Sequence, residues 1–201
     1  MFSGIVKEIG IVEKLESKNG ILEISILCKD LIDDVKAGSS IAIDGSCQTI
    51  VETFPTSFKI QATQETLRKT NFLNLKIGSK VNLETSLKLG DKLDGHLVSG
   101  HIDASGEINK IIHDGENTIV QISYPRELRT LIAPKGSITV NGVSLTVIES
   151  KNNNFSFTLI PYTRDNTNLG LIKERDLVNL EVDLVARYLV NYLENTNAIR
   201  T

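Results

Sequence analysis

Ile41–Glu52 reads IAIDGSCQTIVE, and Ile138–Glu149 reads ITVNGVSLTVIE. Both stretches alternate apolar and polar residues, place Asp-Gly or Asn-Gly at the same point, and continue with Thr, two β-branched residues and Glu. Alternation with period two marks a half-buried strand. Asp-Gly or Asn-Gly between two such runs is the strongest short-range signal for a two-residue hairpin turn. Each stretch therefore predicts a β-hairpin. They differ at the centre, where Cys47 of the first becomes Ser144 of the second.

The correspondence extends outward at the offset that carries Ile41 to Ile138. Thr66, Thr70 and Asn71 meet Thr163, Thr167 and Asn168; Phe58 meets Phe155, and Ser40 meets Ser137. VNLE at 81–84 recurs unchanged at 178–181, and FSGIV at 2–6 aligns with VSGHI at 98–102, one residue short of that offset. The chain reads as a tandem duplication. Period-2 runs recur in both halves: GILEISIL, SIAIDG, SFKIQATQE and KVNLE, then NTIVQISY, SITVNG, FSFTLIP and LVNLEV. Asn19-Gly20, Asp44-Gly45, Asp114-Gly115 and Asn141-Gly142 supply turns. Short strands at this spacing predict an all-β fold, a closed or nearly closed antiparallel barrel of about six strands in each half, since closure removes exposed edges. Residues 28–37 and 126–133 could each hold a short helix. In the tail, Leu184, Val185, Tyr188, Leu189, Tyr192 and Leu193 form one apolar stripe at helical spacing. That helix lies beyond both repeats; it could pack on its own barrel or serve assembly, and its place outside both duplicated cores favours assembly. The domains are placed at 1–97 and 98–187, with 188–201 as the end of the helix and the tail.

The 201 residues are 40% hydrophobic and 23% charged, with a formal charge of −3 and no basic run to track phosphates, which argues against nucleic-acid binding. No apolar stretch reaches the roughly 18 residues that span a bilayer. Lys7, Glu8 and Glu13 interrupt any signal-peptide core, so a cytoplasmic location is expected. The two cysteines, Cys28 and Cys47, lack metal-ligand spacing, and no metal is expected. Cys28, inside an apolar alternation, reads as a small buried hydrophobe.

Positions common to both halves serve the barrels or a shared binding surface. They are rich in hydroxyls: Ser40/Ser137, Thr49/Thr146, Thr66/Thr163 and Thr70/Thr167. Thr suits strands and turn caps, yet grouped beside Gly turns these residues also suit a rim for a neutral polar ligand. With no P-loop and no GxGxxG, a phosphate-rich cofactor is disfavoured. Positions that differ are where the halves divide labour. DGHLVSGHID at 94–103 carries two of the three histidines, and its counterpart MFSGIV carries none. His96 and His101 are an odd number apart, so in a regular strand they would face opposite sides, which argues against a shared metal. A lone His is more often structural, but two in a Gly-flanked segment absent from the duplicate suit proton transfer near neutral pH. His113 reads as a solvated loop residue. No GxSxG motif is present, and no His adjoins Cys47 or Ser144 in sequence. The residues alone give a duplicated barrel protein that binds a polar ligand in each half.

Taken together, MFSGIV, GSCQTI, ETLRKTN, GHLVSGHID, KGSITVNGVSLTV and IPYTRDNTNLG resemble riboflavin synthases in order and spacing over nearly the whole chain. The resemblance implies two six-stranded Greek-key β-barrels in tandem and a homotrimer tied by C-terminal helices. It implies conversion of two 6,7-dimethyl-8-ribityllumazine molecules into riboflavin and 5-amino-6-ribitylaminouracil, with no cofactor, at sites between barrels of neighbouring subunits. A larger assembly with lumazine synthase is left open. Carried over by motif, the first barrel's pocket uses Gly4, Ile5 and Val6, then Cys47, Gln48 and Thr49, then Gln61, Ala62, Thr63, Gln64, Glu65 and Thr66. Gly100, His101 and Ile102 follow the second Ser-Gly. The second pocket uses Lys135, Ser144, Leu145, Thr146, Ile160, Pro161, Tyr162, Thr163, Arg164 and Asp165. Hydroxyls such as that of Ser40, together with Asp183, hold the ribityl chain. His101 is the expected base, with His96 behind it. Ser144 or Cys47 is the expected nucleophile, with water as the alternative, and Phe2 closes one side of the ring stack. The chain departs from the usual pattern at Gln48, Tyr162 and Asp94. Non-catalytic lumazine proteins share the duplication, so simple lumazine or flavin binding is the competing reading. A flavin-binding module of an oxidoreductase would need a following nucleotide-binding domain, whereas the sequence ends at Thr201.

Overall fold

The computed structural model describes residues 1–18 and 20–196. Asn19 of the expected Asn19-Gly20 turn and residues 197–201 of the tail lie outside them. The first repeat forms β1 (Glu8–Lys18), β2 (Ile21–Leu27), β3 (Ser40–Ile43), β4 (Ser46–Thr53), β5 (Ser57–Ala62) and β6 (Lys80–Thr85). They close in the order β1-β2-β5-β4-β3-β6, with β6 antiparallel to both β3 and β1. Alternate residues point inward, so Ile24 and Ile26 of β2 and Phe58 and Ile60 of β5 share one core with Ile41, Ile43, Val81 and Leu83. Cys28 is buried against the same core, and burial pushes its thiol up to about 11, an inert packing residue as expected.

The second repeat forms β7 (Ala104–Asp114), β8 (Asn117–Ser123), β9 (Ser137–Val140), β10 (Val143–Thr146), β11 (Glu149–Lys151), β12 (Asn154–Leu159) and β13 (Leu177–Val182). Their order is β10-β9-β13-β7-β8-β12-β11, so among the described residues the second half is a barrel-like sheet of seven strands whose ladder does not close, where six strands were expected. β10 and β11 are the two halves of the strand that is single in β4. A bulge between Ile50 and Glu52 of β4 becomes a break at Val147–Ile148, although the Ile148 N–H still donates to the Ser156 carbonyl at 2.8 Å. An extra residue bends a strand and raises its twist, and here it splits one.

Two short helices replace expected strand ends. Thr63 and Ile160 precede α1 (Gln64–Lys69) and α2 (Pro161–Asn166), so SFKIQATQE and FSFTLIP stop being strands at Ala62 and Leu159. Local capping decides this: the Thr63 hydroxyl accepts the Thr66 N–H, and Pro161 stands at a helix start where its missing N–H costs nothing. Residues 28–37 and 126–133 hold only the 3-10 turns Ile32–Asp34 and Arg126–Leu128. His113 lies in β7 rather than a loop. The tail forms α3 (Leu184–Asn195), started by the Asp183 carboxylate, which accepts the Val185 N–H. No helix among the described residues is long and apolar enough to cross a membrane.

The two barrels meet through the hairpin turns. Asp44 and Asn141 each have φ of 45°, followed by Gly45 at 79° and Gly142 at 77°, the mirror-image turn that Asp-Gly and Asn-Gly favour. The turns stand back to back: a Cβ on Gly45 would lie 2.7 Å from the Gly142 nitrogen, and one on Gly142 would lie 2.6 Å from that of Gly45. Paired asparagines surround this contact. Asn82 Nδ2 donates to the Asn141 carbonyl at 2.8 Å and Asn179 Nδ2 to the Asp44 carbonyl at 2.9 Å. Asn71 N donates to Asn179 Oδ1 and Asn168 N to Asn82 Oδ1, both at 2.7 Å.

The symmetry fails around Asn168 and its counterpart Asn71. Asn141 donates its amide to Asn168 Oδ1 at 3.4 Å, whereas the equivalent Asn71 Oδ1 is buried without a partner beside Asp44. Asp44 is fully buried among neutral amides, and desolvation pushes its carboxyl up from 3.8 to about 7 against bonds from the Asn82 N–H and the Asn168 and Asn71 amides. A raised acid pKa means that the folded state binds the proton more tightly than the unfolded one. Stability is then full below about pH 4, falls between about 4 and 7, and is lost above that. Asp44→Asn supplies the missing donor and removes the titration. It should stabilise the protein by about 2–4 kcal/mol at pH 8 and by little at pH 4. Thermal melts of both proteins across this range check it; equal melting at pH 8 would refute it.

Candidate active site

The two Ser-Gly segments are exchanged between the barrels. Phe2 and Val98 bridge each other through Phe2 N to Val98 O at 2.7 Å and Val98 N to Phe2 O at 3.1 Å. From this bridge Gly4 reaches the second barrel, where its carbonyl accepts the Ser144 N–H at 2.7 Å. Gly100 reaches the first, where its carbonyl accepts the Cys47 N–H at 2.8 Å. Both glycines have positive φ, and a Cβ would lie 2.7 Å from that of Ser144 or 2.6 Å from that of Cys47. The sequence reading grouped Gly4, Ile5 and Val6 with Cys47. The geometry groups them with Ser144, because strand alternation cannot tell which barrel a flanking segment joins.

Phe2 is fully buried with Ala42 and Val98 at the junction, so it cannot close a stack of ligand rings. Residues 94–103 form an irregular segment, not the strand in which His96 and His101 were expected to oppose each other. The His96 N–H donates to the Ser3 carbonyl at 3.1 Å, and its Nδ1 lies 2.7 Å from Ser144 Oγ. Burial holds this ring below the ordinary histidine pKa, opposed by the charge of Asp183. The ring is thus neutral at pH 7. With its proton on Nε2 it accepts the Ser144 hydroxyl proton, the arrangement that activates a serine. His101, ranked first from sequence, is exposed.

A cavity of about 440 Å³ opens beside Ser144, and His96 is not among the residues that line it. It is lined by Gly4–Ile9, by Val143 and Ser144, and by Tyr162, Thr163 and Asp165–Thr167. Lys29 and Asp30 of the first barrel complete it, on a loop whose Asp30 and Leu31 N–H groups donate to the Glu8 carboxylate, both at 2.9 Å. Hydroxyls, a tyrosine and backbone groups suit a flat polar ligand.

Other expected residues divide between wall and scaffold. In β4, Cys47 and Thr49 face outward, but Gln48 is turned into the barrel, where it donates to Ser46 Oγ at 2.9 Å. Only its backbone is open to a ligand. Gln61 bonds Glu23 at 2.8 Å, Gln64 donates to the Gly20 carbonyl at 2.6 Å, and Glu65 pairs with Arg68. Ala62 is buried and Thr63 caps α1. Ser40 starts β3 opposite Thr49. On the second barrel, Leu145 is half-buried and Thr146 exposed on β10, and Ile160 and Pro161 lead into α2. Arg164 bonds Asp165 at 2.9 Å. Lys135 is exposed with φ of 67°, an uncommon conformation for a non-glycine residue. Asp183 caps α3 and faces His96 electrostatically. Glu84 and Glu181, which hold the Ser-Gly segments, were missed, although the unchanged VNLE repeat carried the signal.

The lumazine binding domain model matches residues 3–86 and 99–183, once in each barrel. The curated riboflavin synthase of Actinobacillus pleuropneumoniae is 36% identical over 96% of this chain and 90% of its own. That of Bacillus subtilis is 32% identical over 100% and 94%, and that of Mycobacterium tuberculosis 40% identical over 94% and 96%. Among solved structures, LumP complexed with 6,7-dimethyl-8-(1'-D-ribityl) lumazine superposes with a TM-score of 0.83 at 25% identity, and LumP complexed with riboflavin with 0.85 at 26%. Each comparison covers 90% of this chain and 99% of the other. End-to-end likeness on this scale, falling on the same two barrels that the hydrogen bonds define, means that the chain belongs to the riboflavin synthase family and is an enzyme of the transferase class.

Proposed function

We propose that this protein converts two molecules of 6,7-dimethyl-8-ribityllumazine into riboflavin and 5-amino-6-ribitylaminouracil by moving a four-carbon unit from one to the other. The 2.7 Å approach of His96 Nδ1 to Ser144 Oγ, at the edge of the 440 Å³ cavity, carries this reading. A site that only stored a lumazine would have no use for an activated hydroxyl, so the pair favours turnover over simple binding. The atoms of two lumazines equal those of the two products, so the exchange needs no outside oxidant, reductant or cofactor.

One lumazine loses a proton from its 7-methyl group, and the anion is delocalised through the ring. The other must become electrophilic at ring carbon. Neutral His96 takes the Ser144 proton as Oγ adds to that carbon, and the imidazolium returns a proton when the adduct breaks. His101, exposed beside Gly100 on the Cys47 side, is the base assigned to the methyl group of the other lumazine. Holding two flat rings face to face supplies much of the rate, since orientation alone can lower a barrier by several kcal/mol, ~7 or more. That stack needs a second copy of the chain, and we assign a homotrimer. Val185, Tyr188, Leu189 and Tyr192 of α3 are exposed on one side of the helix, an apolar face that supports such an interface.

Purified protein incubated with the lumazine alone should generate riboflavin absorbance. Ligand binding with no turnover would leave the protein a lumazine carrier. Ser144→Ala and His96→Ala should each lower kcat by about 10²-fold or more with little change in binding. Because burial lowers the His96 pKa, its ring, followed by NMR in the full chain, should titrate below ~6.5, so that the base form persists through neutral pH. A ring that titrates at or above that value would exclude a neutral His96 as the base.

For assembly, Tyr188→Asp combined with Tyr192→Asp should give a folded monomer by sedimentation, with activity lost in parallel. A trimer that survives both charges would reject the α3 interface.

A further inference from the structure

The unchanged VNLE motif ends β6 and β13 with two carboxylates, Glu84 and Glu181, both buried. Glu84 Oε1 accepts the Ser3 N–H and the Ser3 hydroxyl, both at 2.7 Å, and Oε2 accepts the Gly4 N–H at 3.1 Å. Glu181 repeats the pattern on Ser99 and Gly100, with Oε1 taking the Ser99 N–H at 2.8 Å and its hydroxyl, and Oε2 taking the Gly100 N–H at 3.0 Å. Each segment then crosses to the other barrel. The Ser3 carbonyl accepts His96 N–H and the Gly4 carbonyl accepts Ser144 N–H, so one two-residue segment sets both members of the Ser-His pair. The Gly100 carbonyl accepts Cys47 N–H in the same way.

We propose that Glu84 and Glu181 are positioning residues acting crosswise: Glu84 of the first barrel sets Ser144 and His96 of the second pocket, and Glu181 of the second barrel sets Cys47 of the first. This deepens the proposed function and rests on it for the role of Ser144 and His96. Only an acceptor at both oxygens fits three converging donors. A glutamine of equal size would turn an NH₂ against the Gly4 or Gly100 N–H, while aspartate falls one methylene short. Burial raises both carboxyls above the ordinary range, and the donated bonds oppose that shift without cancelling it. Barrel docking has its own bonds through Asn82 and Asn179, so the clamp can be loosened without separating the barrels.

Glu84→Gln and Glu181→Gln in the full chain test this with two local reporters besides turnover: the His96 ring titration by NMR, assigned with His96→Gln, and the rate of Cys47 thiol modification. Glu84→Gln should lower kcat by ~10- to 100-fold with KM within about threefold. Its His96 pKa should rise toward the ordinary value as the ring gains water, with Cys47 reactivity unchanged. Glu181→Gln should speed Cys47 modification and leave His96 alone. Ser3→Ala, which removes one of the three donors, should move kcat and the His96 titration the same way by less, and it serves if Glu84→Gln does not fold. Wild-type kcat and His96 titration in both Glu84→Gln and Ser3→Ala would overturn the proposal. So would equal changes of both reporters in either Gln variant, the signature of undocked barrels. If wild type turns over no lumazine yet the reporters still respond crosswise, the positioning stands and the proposed reaction falls.

Discussion

Everything in this molecule hangs on two hairpin turns that meet with no room for a side chain. Gly45 and Gly142 approach so closely that a Cβ on either would collide with backbone nitrogen of the other. That contact fixes the barrels at one separation, and Asn71, Asn82, Asn168 and Asn179 fix their rotation by bonding across it. Hydrogen bonds of this kind add little net stability individually, but a buried amide left without its partner costs 1–3 kcal/mol or so. A misaligned pairing would orphan several at once. An apolar interface would tolerate sliding, whereas this one does not. The exchange of the Ser-Gly segments depends on that fixed rotation, because each must arrive at a single peptide of the opposite barrel.

The duplication, the all-β class and the hairpins were legible because they are local: alternation, Asp-Gly and Asn-Gly act over a few residues. The helix at Leu184–Asn195 was legible for the same reason. The short helices after Ala62 and Leu159 were not, since a single threonine or proline at the strand end outweighs the apolar pattern that runs past it. The split of β10 from β11 was hidden as well: the sequence is equally apolar at Ile50–Val51 and Val147–Ile148, and only the ladder distinguishes a bulge from a break. Among site residues, Ser144 and His96 were named but not as a pair, being far apart in sequence. For Gln48 the motif gave the position but not that its side chain turns into the barrel and leaves the backbone to face outward. Glu84 and Glu181 stood in plain view as an identical repeat with no chemistry attached.

The places where the halves differ cluster around the same junction. His96 bonds Ser144, which gives the second barrel's hydroxyl a base. Cys47 occupies the matching place in the first barrel, half-buried and docked on Gly100. Asp44 replaces the amide found at Asn141, breaking the symmetry of the buried network where its symmetry axis runs. These differences sit in a frame that is otherwise kept: the Ser-Gly turns, their carboxylate clamps and the asparagine pairs all match.

The exchange also bears on why two unlike pockets persist in one chain. Had each Ser-Gly segment folded back on its own barrel, a half-chain could complete its pocket, and two identical halves would serve as well as one fused pair. Instead Gly4 belongs to the pocket of Ser144, and Gly100 to that of Cys47, so neither half is complete alone. Fusion then frees the two pockets to change independently, since a substitution on one reactive strand leaves the other pocket's segment untouched. In the proposed reaction two identical lumazines must play opposite parts, one giving up four carbons and one receiving them. A symmetric pair of pockets would offer each molecule the same surroundings. The serine bonded to its histidine on one side, and the thiol with the exposed His101 on the other, is the asymmetry that such a reaction requires.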